Sequence, residues 1–560
     1  MLDEVGDSLV NCYGVKCVMN QATQSLPLPA TLAAPDRGRA STTTSSWLLA
    51  LITIVATVLR LHGITAKSFW LDEGISVQIA RLPWPQFFYV LRHREINMAL
   101  YYFLLHFWLA LGSTEGFIRG LSVLFSVATV PVVYALGVRL FGRSAGLLAA
   151  WLLAINAYHI RYAQEARGYA LVVFFTALAT WLLVRNLQDP SSARWAAYTA
   201  ACAAAVYSHF FGVLIVLAHG ISLAFLRRRD LPWKDLARSI RWFAYLMIPI
   251  AMIVATVGAG STRWIPPTKM RGVLDLFIML AGNGGVRLLA LDVIAVGLAA
   301  FATWKEWRGG GRSVDHWGHI LLFVWFLAPL NAVLAVSVVR PIFVARYMLP
   351  CLPALVLIVA AGIIKLKPRM LGWIFVAAIS VFSILGASSY YRQDFDLDRD
   401  DWRGATSYVL DHALPGDGAF FYQNFGHLPF EFYRSQRHPS PRWPEALVSA
   451  NGSDWGYRDS LFAYLADAIQ DAGTGGDRVW LILDLDRGAD GKPNMESVIL
   501  RGVYGKGRRL IEEKRFSQIT ILLFARDVVD SPQPDVSRPA GLSPQSPSPD
   551  QPQVKRGSLP

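Results

Sequence analysis

Two carboxylates stand side by side in Phe69-Trp70-Leu71-Asp72-Glu73-Gly74. On a helix, neighbouring side chains diverge by about 100°, so the two cannot serve one atom. One of them suits a general base toward a hydroxyl, and the other suits orienting a neighbour or pairing with an arginine. His93, Glu95 and Asn97 follow in the same polar region. A second cluster, Tyr158-His159-Ile160-Arg161-Tyr162-Ala163-Gln164-Glu165-Ala166-Arg167-Gly168-Tyr169, mixes acid, base and aromatic groups. Arg161 and Glu165 are four residues apart and also fit a plain ion pair across one helical turn. Arg167 and Arg346 carry the planar fork of donors that suits an anionic phosphate. His209, in Tyr207-Ser208-His209, reads as a hydrogen-bonding residue at a helix end. Arg60 reads as a cation reaching along the first apolar run to the membrane interface, and Arg119 is open to the same reading. The Asp400-Asp401-Trp402-Arg403 stretch fits an exposed turn or a cap over a cavity. No Ser/His or Cys/His set offers an enzyme nucleophile. The four cysteines show no metal-ligand pairing; Cys12 and Cys17 fit either one bridge or two free thiols.

The elements that position these groups must lie in a membrane. Hydrophobic residues make up 54% of the 560-residue chain and charged residues only 17%. Soluble domains carry roughly 25% charged residues, so a soluble enzyme, a disordered chain and a fibrous repeat are excluded. The net charge of +13 sits in short clusters between apolar runs, as at Arg227-Arg228-Arg229, which argues against a nucleic-acid partner and for cytoplasmic anchors of membrane helices.

Apolar runs at about 46–64, 117–138, 144–160, 168–185, 194–208, 210–226, 240–260, 286–304, 318–338, 350–364 and 371–388 predict eleven spans. The run 98–111 is about 14 residues, the length of a segment lying on the surface. Leaving it uncrossed keeps Arg37, Arg39 and the later basic clusters on the cytoplasmic side, with the N-terminus inside and the C-terminus outside. The chemistry-bearing stretches then all meet the outer face. Residues 1–45 read as a cytoplasmic flexible tail and 46–390 as the multi-span membrane domain. Residues 391–530 read as an extracytoplasmic α/β domain, with strands at Gly418–Tyr422, Arg478–Leu483 and Gln518–Phe524 and an amphipathic helix at Asp459–Asp471. The Pro/Ser-rich stretch 531–560 reads as disordered.

Phe69-Trp70-Leu71-Asp72-Glu73 after the first span resembles the Asp-Glu loop of integral-membrane glycosyltransferases of GT-C architecture. Leu100-Tyr101-Tyr102, the Tyr162–Tyr169 stretch and Arg346-Tyr347 with Pro350 resemble further motifs of that group, in the same order. Its members include dolichyl-phosphate-mannose protein mannosyltransferases, aminoarabinose transferases of lipid A and bacterial Rgt-type core glycosyltransferases. The resemblance covers roughly residues 46–390.

It implies a polyprenyl-phosphate sugar donor within the bilayer, an acceptor of unspecified class (lipid, glycan or protein), and inverting transfer on the outer face of the plasma membrane. It further implies Asp72 as base, Glu73 as its neighbour and Glu165 as a second cavity acid. Arg167, Arg346, Tyr347, His93, Glu95, Tyr102 and His209 are the implied substrate-binding residues. Many members carry a basic residue or Pro-Pro before Leu-Tyr-Tyr, where this chain has Glu95-Ile96-Asn97-Met98-Ala99; His93 and Arg94 are the nearby substitutes. No cofactor is implied; some relatives use a divalent metal, but adjacent carboxylates do not by themselves make a site.

Two other readings make opposite demands. A secondary transporter of a lipid-linked or anionic substrate places ionisable and helix-breaking residues at the bilayer midplane. Here they cluster at span ends. A structural or assembly protein leaves Asp72 and Glu165 replaceable.

Overall fold

The computed structural model describes residues 40–526 apart from 259–264, 309–313, 394–399, 423–425, 438–444, 447–475, 485 and 488–491. The predicted helix at Asp459–Asp471, the tail beyond residue 531, and Cys12 and Cys17 lie outside the described residues. Residues from Leu49 onward form one compact unit.

Among the described residues, eight helical stretches are long and apolar enough to cross a membrane: Thr44–Leu61, Glu115–Phe141, Tyr169–Gln188, Trp233–Val257, Gly285–Arg308, Trp317–Val339, Ala345–Ile363 and Arg369–Arg392. The protein is a multi-pass α-helical membrane protein. The other three predicted spans fall on shorter helices, Arg143–Ile155, Ser192–Ser208 and Gly212–Leu223. The run 98–111 forms the ten-residue helix Ala99–Trp108, about 15 Å long at 1.5 Å per residue, half of a bilayer core.

Helix hairpins in the bundle depend on small residues where backbones meet. Thr114 caps the Glu115–Phe141 helix by accepting from the Phe117 amide at 3.4 Å. Gly142, at φ 91°, breaks the chain into the Arg143–Ile155 helix. A Cβ on Gly137 would lie 2.7 Å from the Gly146 Cα, so any larger residue there forces the hairpin apart.

Arg60 does not reach to an interface, contrary to the sequence expectation. It is fully buried, and its guanidinium donates to the Ser126 hydroxyl at 2.7 Å and to the carbonyls of Ala56, Ala154 and Leu153, with His159 Nδ1 at 2.7 Å. Leu153 and Ala154 end the Arg143–Ile155 helix, where carbonyls lack intrahelical partners, and Arg60 supplies them.

After the last long helix the chain builds a five-stranded mixed sheet in the order β2-β1-β3-β5-β4. The strands are β1 (Gly418–Tyr422), β2 (Glu445–Ala446), β3 (Arg478–Asp484), β4 (Arg509–Arg515) and β5 (Ile519–Ala525). β1 runs parallel to β2 and β3, while β5 lies antiparallel to β3 and β4. Because strand side chains alternate between faces, β1, β3 and β5 bury two separate sets. Phe420, Val479, Leu481, Leu483, Leu522 and Phe524 pack with Leu500 and Tyr504 of the Met495–Tyr504 helix. Phe421, Trp480, Ile482, Ile519, Ile521 and Leu523 join the main core with Trp402, Val409, Phe430 and Phe432. Those last residues belong to helices Trp402–His412 and His427–Ser435, which pack toward the loop carrying Asp72.

Candidate active site

The Asp72 helix, Leu71–Arg81, begins after an extended Trp70. Asp72 and Glu73 leave its first turn in different directions. Glu73 is fully buried and holds Arg119 through both oxygens, at 2.8 and 2.7 Å. Glu73 Oε1 also accepts the Ala166 amide at 2.8 Å. Arg119, itself fully buried, donates further to the carbonyls of Ile64, Lys67 and Ser68. This arginine ties the first loop and the 166 loop to the Glu115–Phe141 helix, which replaces the interface reading of Arg119.

The Asp72 carboxylate keeps 22% of its side chain exposed and meets Arg167 Nη2 at 3.5 Å. Arg167 Nη1 donates to the Asp72 carbonyl, to Ser76 Oγ at 3.3 Å and to the Tyr102 hydroxyl at 3.2 Å. Tyr102 in turn donates to Glu95 at 3.5 Å. Burial pushes the half-buried Glu95 carboxyl up, and the charge of Arg167 offsets part of that rise. Ser76 was not singled out in the sequence; its place one turn after Asp72, on the same face, was the available signal.

Arg346 and Tyr347 arrive from a 3₁₀ turn, Ala345–Cys351. The Arg346 guanidinium lies 5.5 Å over the Trp70 ring and 5.8 Å over the Tyr347 ring, and its charge acts on Asp72 and Tyr169. His209 is buried between Tyr169 and Tyr347, with ring centroids 5.7 and 4.7 Å away. Burial, followed by the charges of Arg167 and Arg346, lowers its pKa to about 3. A neutral ring at ordinary pH hydrogen-bonds and packs. Asn97 reaches the same corner, accepting the Phe210 amide at 2.9 Å.

Glu165 and His93 complete the expected site residues. Glu165 is buried and takes Arg161 Nε at 3.4 Å, the pair across one helical turn. His93 sits at the end of helix Trp84–His93 against Tyr89, whose carbonyl is 2.9 Å from Nδ1. Its described contacts do not include the Asp72 network. Among the described residues no three His, Cys, Asp or Glu side chains gather as they would around a metal ion.

Residues 98–258 match the family model of dolichyl-phosphate-mannose-protein mannosyltransferases. The chain is similar in structure to ArnT from Cupriavidus metallidurans in its apo state, with TM-score 0.57 and 13% identity over 86% of this chain and 98% of that one. The chain has the GT-C fold. The same ArnT bound to undecaprenyl phosphate gives TM-score 0.54 at 14% identity, over 86% of this chain and 98% of that one. The apo oligosaccharyltransferase of Archaeoglobus fulgidus gives 0.51 at 11% identity, over 80% of this chain and 70% of that one. No curated protein matches the chain in sequence. On this GT-C scaffold four loops, far apart in the chain, place Asp72, Arg167, His209 and Arg346 in one neighbourhood.

Proposed function

We propose that the protein is an inverting glycosyltransferase that moves a sugar from a polyprenyl-phosphate donor to an acceptor at the outer face of the cytoplasmic membrane. The observation that carries this reading is the partly exposed Asp72 carboxylate beside Arg167, with Arg346 over the nearby Trp70 ring. Asp72 accepts the proton of the attacking hydroxyl, an effect worth about 10²–10⁴-fold in general-base catalysis. The anomeric bond to the lipid phosphate breaks on the opposite face, and the leaving phosphate gains charge. Arg167 and Arg346 stabilise that charge from fixed positions, which costs no reorganisation during the reaction. The undecaprenyl phosphate bound by the similar ArnT supports a lipid-phosphate donor.

Glu73 and Glu165 take supporting parts in this scheme, holding Arg119 and Arg161, so that Asp72 alone is the base. Tyr102, Glu95 and Ser76 orient Arg167, and Tyr347 with His209 forms the aromatic wall beside Arg346. His93 is left without a part. The basic clusters on the opposite side of the spans support a cytoplasmic N-terminus and a C-terminal α/β segment outside.

The test is sugar transfer in membranes containing the wild type or Asp72→Asn, supplied with labelled polyprenyl-phosphate sugars. Label should reach an acceptor with the wild type and not with the variant at equal folded protein. Equal transfer by both removes Asp72 from the mechanism.

A further inference from the structure

The loop that carries Asp72 is held from above by residues more than 300 positions away. The Phe69 amide, on a fully buried residue, donates to the Tyr433 hydroxyl at 2.6 Å, and Ser68 Oγ donates to the same oxygen at 3.2 Å. The Leu71 amide, at the start of the Asp72 helix, faces Asp400 Oδ2 at 3.4 Å. The Arg403 amide donates to Ser68 Oγ at 2.9 Å, and its guanidinium donates to the carbonyl of Thr65 and to Glu115, both at 2.7 Å. Phe69 and Phe432 pack with ring centroids 4.5 Å apart. Gly74 lies so close to Pro429 that a Cβ there would come within 2.9 Å of its ring.

We propose that the C-terminal α/β segment is a positioning element of the active site, with Tyr433 and Asp400 as positioning residues that set the backbone from which Asp72 projects. The proposal rests on Asp72 being the base. Its physical ground is that a helix's first amides, here that of Leu71, have no intrahelical acceptor, and that a buried backbone amide such as that of Phe69 is costly without one. Tyr433 and Asp400 supply acceptors at Phe69 and Leu71, on either side of Trp70 and immediately before the base. Burial, ahead of the nearby Glu115 charge, pushes the Tyr433 hydroxyl up to about 12, so it stays neutral and keeps accepting at any working pH. A base displaced by about 1 Å loses on the order of 10²-fold in rate, so a hold on the first turn acts directly on turnover.

The experiment compares Tyr433→Phe, Asp400→Ala and Asp400→Asn in the full-length protein. Backbone hydrogen exchange over residues 66–74 needs no substrate, and kcat and KM are then read with the labelled polyprenyl-phosphate sugar that the wild type uses. Tyr433→Phe and Asp400→Ala should speed exchange across 66–74 at least about tenfold while leaving the Tyr169–Gln188 helix unchanged. They should lower kcat about ten- to a hundredfold with donor KM within about twofold, since the hold acts on the backbone before Asp72. Asp400→Asn keeps an oxygen for the Leu71 amide and should recover most of the turnover lost in Asp400→Ala. Wild-type exchange over 66–74 in Tyr433→Phe overturns the proposal, as does faster exchange with unchanged kcat. Asp72→Asn serves as the separate control: slow exchange with no transfer keeps Asp72 as base, whereas full transfer refutes the base assignment itself.

Discussion

The front and back of one helical turn make the instructive comparison. Behind it, Glu73 and Arg119 are fully buried, both carboxylate oxygens are engaged, and the arginine is committed to three carbonyls as well. In front, Asp72 is partly exposed, and Arg167 approaches it at a looser 3.5 Å. A buried charge pair with every donor matched is costly to break and has no capacity left for a ligand. A looser pair at a cavity retains oxygen and N–H positions that a hydroxyl or phosphate can take. Adjacent residues of the same chemistry therefore diverge into a strut and a reactive group.

Asp72→Asn should break the front and spare the back. Transfer is expected to fall by about 10²–10⁴-fold, with a thermal unfolding curve in detergent superimposable on the wild type. Glu73→Ala should do the reverse, leaving Arg119 buried and unpaired. A stability loss of about 3–5 kcal/mol is expected, visible as lost monodisperse protein before any activity is measured. An unfolding curve unchanged by Glu73→Ala would refute the strut.

Arg346→Lys keeps the charge but removes the planar fork that lies over Trp70. Donor affinity should drop about ten- to a hundredfold, the scale of about 1.5–3 kcal/mol for hydrogen bonds to charged groups, measured as KM for the labelled donor. Away from both faces, Asp401 caps helix Trp402–His412 by accepting the Gly404 amide at 2.9 Å. Asp401→Ala should cost about 1 kcal/mol in urea unfolding.

The smallest effect concerns acid. Partial burial works to raise the Glu513 carboxyl, but hydrogen bonds from Arg501 and Arg515 outweigh it and hold Glu513 below its ordinary value. A depressed carboxyl stabilises the fold above its unfolded pKa, and that contribution is lost as pH falls through the folded value. Because Glu513 remains partly exposed to solvent, under about 1 kcal/mol is at stake. Glu513→Gln should flatten the acid limb of a stability–pH curve by that amount.

Much of this was legible in the residues. Hydropathy and length located the eight long spans, because a membrane demands long apolar stretches whatever they pack against. Short apolar runs bounded by turn signals located β1, β3 and β5 to within a residue or two. Arg167 and Arg346 stood out because the planar donor fork of arginine suits an anionic phosphate. Arg60 was misread because its partners, the carbonyls of Leu153 and Ala154, lie more than 90 positions away. Tyr433 carried no local signal at all.

The amino-acid sequence by itself determined that the chain crosses a membrane repeatedly, which stretches do so, and which polar residues are too costly to be there by accident. Those properties follow from single residues and their spacing against a solvent of known polarity. Only the tertiary structure decided that Glu73 is sealed behind the helix while Asp72 faces Arg167. It alone decided that Arg60 closes a helix end, and that Tyr433 and Asp400 reach back to the first turn of the Asp72 helix. Each of these depends on which distant donor meets which acceptor, and a hydrogen bond's partner is set by three-dimensional distance rather than by position along the chain.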